Sequence, residues 1–71
     1  MRVEIPSHLV GKPVSSLNLE GKILVAGVDR GGKGFVPVGS STFQEGDYAA
    51  VIVQKDALET LEGLLQPIGE R

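Results

Sequence analysis

Four groups of residues have types and spacings that invite chemistry. The stretch "VDRGGKGFVPVG", Val28 to Gly39, carries Arg30 and Lys33 in a glycine-rich setting. A glycine-rich loop with a cation can cradle phosphate, but the phosphate-binding loop needs Gly-x-x-x-x-Gly-Lys-Ser/Thr between a strand and a helix. Here Gly34 follows Lys33, and apolar strand-like residues come next. Gly31-Gly32 between two apolar runs is instead a hairpin signal, because the favoured hairpin turns need positive φ. Arg30, at the end of the preceding run, stays a candidate contact for an anionic ligand. His8 is the only histidine, and a histidine has the one side chain whose ordinary pKa lies near neutrality. It is a second ligand candidate, because an assembly of two copies would present it twice.

The remaining groups carry less. Ser15, Ser16, Ser40 and Ser41 sit in turn-like contexts without a nucleophile elbow. Glu45 and Asp47 flank Gly46, and paired carboxylates for acid–base work need a cleft between them. No catalytic constellation is visible, so the chain is read as a non-enzyme. There is no cysteine and a single histidine, which excludes thiolate zinc and histidine-rich metal sites within one chain. No cofactor and no metal are expected.

The elements that must position these residues follow from pattern. "RVEIP" alternates as a short strand does, and Pro6 ends it. "SHLVGKPVSSLNL" reads as one or two helical turns, with Pro13 setting a first-turn angle and Val14 and Leu17 three apart. Lys22–Val28 and Tyr48–Gln54 are apolar at successive positions, as in a sheet covered on both faces. Gly34–Val38 is a further strand, placed at an edge or strand end by Pro37. Leu58, Leu61, Leu64 and Leu65 then recur with helical spacing. Asp56 and Glu59 suggest a capping box at the start of a helix Asp56–Leu65, and Pro67 closes it. The expectation is one α+β domain over residues 1–71: a small antiparallel or mixed sheet in the order β-α-β-β-β-α, with a C-terminal helix.

Composition bounds the rest. A chain of 71 residues makes one small domain of modest stability, and without disulfides oligomerisation is the common remedy. One full helix covers about one face of a two-faced apolar sheet, and the short helix covers part of the other. A second copy is the simplest cover for what is left, so a homodimer is expected. Nine acidic and seven scattered basic residues, with only Phe35, Phe43 and Tyr48 to stack on bases, argue against nucleic acid. No apolar run approaches the ~20 residues of a membrane span. Glu4, Pro6 and His8 interrupt any signal-like start. A cytoplasmic module is the expectation.

The ordered series of motifs resembles the TrkA C-terminal, or RCK-C, domain family. It runs Leu9-Val10-Gly11, Leu17-x-Leu19, a strand ending in Arg30-Gly31-Gly32, a strand with Pro37, and Thr42 followed by Gly46-Asp47 before the last strand. The resemblance covers nearly the whole chain. It implies a small α+β unit that dimerises and serves as a ligand-sensing regulatory domain of potassium uptake or cation transport. Its partner would be a membrane transporter subunit gated by conformational change at the inner face of the membrane. A Rossmann-type nucleotide-binding domain usually precedes such units and would act here in cis or in trans. The alternatives are a sensing domain of another transporter or antiporter, or a small enzyme or cofactor carrier. Some relatives bind cyclic di-AMP at the dimer interface, and these tend to have a longer segment after the short helix with Asp-x-Arg and a later Asn before the strand. Asn18 and Glu20 of "NLEGK" stand there instead, so no such ligand is carried over.

Overall fold

A computed structural model describes residues 1–66. Its order is β1 (Arg2–Glu4), two 3₁₀ turns (Ser7–Leu9 and Val14–Leu17), β2 (Ile23–Arg30), β3 (Lys33–Phe35) and β4 (Tyr48–Val53). A third 3₁₀ turn (Lys55–Ala57) then leads into α1 (Leu58–Leu65). The four strands form one sheet in the order β1-β4-β2-β3, and every pairing is antiparallel. This is the expected α+β arrangement. The proposed closure by Pro67 lies outside the described residues.

The hairpin between β2 and β3 closes through Gly31 and Gly32 at φ +60° and +84°. Both central residues are left-handed, as a type I′ turn requires, and Arg30 pairs with Lys33 across it. The boundaries differ from the sequence reading. β2 runs to Arg30, because the hairpin pairs its last residues. β3 stops at Phe35 instead of Val38: Pro37 has no N–H for a ladder, and Val38 bonds instead to Ser41, N–H to Oγ at 3.1 Å. The last strand ends at Val53, one residue short of Gln54.

β2 contains a bulge that pattern reading does not reveal. Val25 pairs with Val51 but Gly27 pairs with Ala50, leaving Ala26 as the extra residue. Asn18 Oδ1 accepts from the Val25 N–H at 2.9 Å just before the bulge. Ile23 and Val25 face the core on one side of the bulge, and Val28 does so on the other. The bulge thus resets the alternation and turns Asp29 outward and Arg30 inward.

The segment 7–17 forms 3₁₀ turns. Val14 and Leu17 from these turns are buried in the same cluster as Ile5, Phe43, Val51 and Leu61. The short turns therefore lie on the same side of the sheet as α1. They do not cover the other face, contrary to the expectation from composition. Helix α1 begins at Leu58, and Asp56 makes no capping hydrogen bond. Asp56 instead accepts from Lys22 Nζ at 2.7 Å, so the charge is satisfied across to the start of β2.

Candidate functional site

Arg30 sits at the last position of β2, and the bulge turns its guanidinium toward Asp47. Nε donates to Asp47 Oδ1 and one terminal nitrogen donates to Oδ2, both at 2.9 Å. The same terminal nitrogen donates to the Thr42 carbonyl at 3.1 Å. The Phe35 ring lies 4.9 Å from the guanidinium carbon, a cation–π contact. Asp47 is fully buried, whereas the Arg30 side chain is one third exposed. Two parallel charged hydrogen bonds make this a bidentate fork of the strong kind.

Asp47 completes its shell locally. Its Oδ2 accepts from the Gln44 N–H at 2.9 Å, its N–H donates to the Gln44 carbonyl, and its carbonyl accepts from the Ile5 N–H. Gly46 precedes it at φ +87°, a left-handed angle that lets the turn close. The Arg30 guanidinium, with the Gln44 N–H, holds the Asp47 carboxyl below the usual carboxylate range against the opposing effect of burial. The carboxylate in turn raises Arg30. One buried pair therefore ties the end of β2, the 42–47 turn and the start of β4 into a unit. The sequence singled out Arg30 but left Asp47 as one of two turn carboxylates. The signal that could have found the pair is an acid and a base each held at a glycine turn flanking adjacent strands.

The opposite face of the sheet is open. Leu24 and Ile52 are 52% and 62% exposed, with the exposed alanines Ala26 and Ala50 beside them. Leu24 and Ile52 are partners in adjacent strands and wall a concavity of about 510 Å³ with Asn18, Glu20, Lys22 and Gln54. Farther along this face the character becomes polar. Arg2 donates to Asp29 at 3.2 Å and stacks 4.4 Å over the Tyr48 ring.

His8 is remote from this face. Its Nε2 lies 3.2 Å from the Leu64 carbonyl near the end of α1. A carbonyl only accepts, so Nε2 carries the hydrogen and donates. The structure brings neither His8 nor a carboxylate–serine pair to Arg30. Among the described residues there is no cluster of metal-ligating side chains, and no helix is long and apolar enough to cross a membrane.

A model of the TrkA-C domain matches residues 1–66. The chain belongs to the TrkA-C domain family. A solved structure described as "Structure of RCK domain with cda" superposes with a TM-score of 0.73. That similarity covers 93% of this chain and 96% of the other at 18% identity, so it is a likeness of fold. No curated relative matches the chain. The TrkA-C family is one of regulatory domains of cation transport, generally without enzymatic activity, and its members work with transporter partners. Within that family fold, the Arg30–Asp47 pair joins the Arg-Gly-Gly strand end to the Gly-Asp turn.

Proposed function

We propose that this TrkA-C domain is a homodimeric, ligand-sensing regulator of a potassium or other cation transporter, acting in the cytoplasm on the inner side of the membrane. The observation that carries the reading is the open apolar face around Leu24 and Ile52. The helix and all three 3₁₀ turns contribute their buried residues to the other side, so the chain itself leaves this face uncovered. An exposed contiguous apolar patch on a small domain is the mark of an interaction surface. A second copy placed about a two-fold axis covers the patch with itself, since the same surface serves both partners. A ligand bound between two such copies favours one of their arrangements in proportion to its differential affinity, and that arrangement gates the partner. Arg30 is committed to Asp47 and Thr42, so its role in this reading is to hold the end of β2 and the turn in place.

Sedimentation equilibrium tests the reading. The wild-type chain should run as a dimer at micromolar concentration. Ile52→Lys should run as a folded monomer, since the side chain is exposed in the single copy and its replacement leaves the core intact. A wild-type monomer, or an Ile52→Lys dimer of unchanged affinity, overturns it.

A further inference from the structure

On the helix side of the domain, away from the open sheet face, two of the 3₁₀ turns and the last turn of α1 border an open cavity of about 340 Å³. Its walls are His8, Leu9, Lys12, Ser16, Gly63 and Leu64. That volume lies at the lower end of the range for small-molecule sites. Its chemistry is asymmetric. Lys12 is a cation that forms no ion pair among the described residues, Ser16 brings a hydroxyl, and no carboxylate side chain lines the walls. Leu9 and Leu64 supply aliphatic surface.

Three further features separate this cavity from an incidental surface dent. The main chain at Lys12 is fixed at both ends: its N–H donates to the Leu9 carbonyl at 3.0 Å, and its carbonyl accepts from buried Phe43 at 3.0 Å. The base of the cation is therefore preorganised. The carbonyl end of α1, which would repel an anion, is blunted here because His8 donates to Leu64. Gly63 adds a gap of its own. It lies inside a helix, where glycine is about 1 kcal/mol less favourable than alanine. A Cβ built there meets nothing within 4 Å.

From these we infer that the His8–Lys12–Ser16 cavity is a binding site for a small aliphatic carboxylate, with the carboxylate on Lys12 and Ser16 and the tail between Leu9 and Leu64. The site is separate from the dimer surface and does not depend on it. A molecule bound there bridges the turns at residues 7–17 to the end of α1, and so adds to the direct link that the His8–Leu64 hydrogen bond already makes between them.

Amide chemical shifts of the full chain, titrated with hexanoate at constant ionic strength, test the site. Saturable shifts should centre on Leu9, Lys12, Ser16, Gly63 and Leu64. Lys12→Gln should weaken binding by at least roughly tenfold, about 1.4 kcal/mol. Gly63→Leu should abolish it by filling the space, and a helix-favouring substitution into open room should leave the fold intact. Inorganic phosphate, which lacks the tail, should bind at least roughly tenfold more weakly than hexanoate. No localised shift with hexanoate, unchanged affinity in a folded Lys12→Gln, or phosphate binding as tight as hexanoate overturns the proposal.

Discussion

Replacing Arg30 by Met should do far more damage than replacing its partner Asp47 by Asn, and the asymmetry follows from burial. Asp47 accepts two hydrogen bonds from Arg30 and one from Gln44, each at 2.9 Å, and is fully buried. Arg30→Met removes two of the three and leaves an ionised carboxylate sealed from water. Breaking a buried pair in that direction costs about 3–5 kcal/mol. Asp47→Asn keeps the shape and an acceptor for the Gln44 N–H. It leaves behind a guanidinium that is one third exposed and partly hydrated. Its cost is expected at about 1–3 kcal/mol. A domain of this size is stable by roughly 4–10 kcal/mol, so the first variant should be close to unfolding and the second should not.

The pH dependence of the two proteins sharpens the test. In the wild type the Asp47 carboxyl is held below its ordinary value, chiefly by the Arg30 hydrogen bonds. That stabilisation is present above the unfolded carboxyl pKa of about 3.9 and is lost as pH falls through the folded value. In Arg30→Met burial dominates and favours the protonated acid, so stability should rise as pH falls from about 7 toward 5. Urea unfolding followed by far-ultraviolet circular dichroism measures both. Equal losses in the two variants, or no gain of stability in Arg30→Met on acidification, would refute the assignment of the pair as a buried structural clamp.

Three further substitutions probe the fold around the clamp. Gly46→Val should destabilise by more than about 1–2 kcal/mol, because φ +87° is a left-handed angle that a β-branched residue strongly resists. Lys33→Ala, at an exposed hairpin position, should change stability by less than about 0.5 kcal/mol in the same urea titration. Leu61→Ala, at the buried stripe of α1, should lower stability by about 2–5 kcal/mol and reduce the thermal midpoint accordingly. A loss below 1 kcal/mol there would mean that α1 is not the cover of the core face.

Much of the fold was legible because its signals are local. Gly31-Gly32 announced a hairpin through the positive φ values that glycine adopts freely, and the leucine spacing announced α1. Asp56 shows the limit of a local signal. Its capping pattern was present, yet the side chain went to Lys22, 34 residues away in the chain, where it found a charge. The apolar character of β2 and β4 on both faces was also legible, and it led to the expectation of a second copy. Which face would be left open was not. The expectation that the short helical segment shares the covering failed because Val14 and Leu17 join the core already formed by α1.

The sequence by itself determined the hairpin, the strand and helix stretches, the exclusion of thiolate and histidine-rich metal sites, and the ordered motif series of the TrkA-C family. These rest on backbone angles, short-range periodicity and residue inventory. Only the tertiary structure decided what Arg30 does. An extra residue at Ala26 reverses the alternation of β2, sends Asp29 out to Arg2, and aims Arg30 at a carboxylate 17 positions later. The sheet order β1-β4-β2-β3 then sets the 42–47 turn against the end of β2. Pairing between residues so far apart depends on which strands lie side by side, and no local pattern at either residue carries that information.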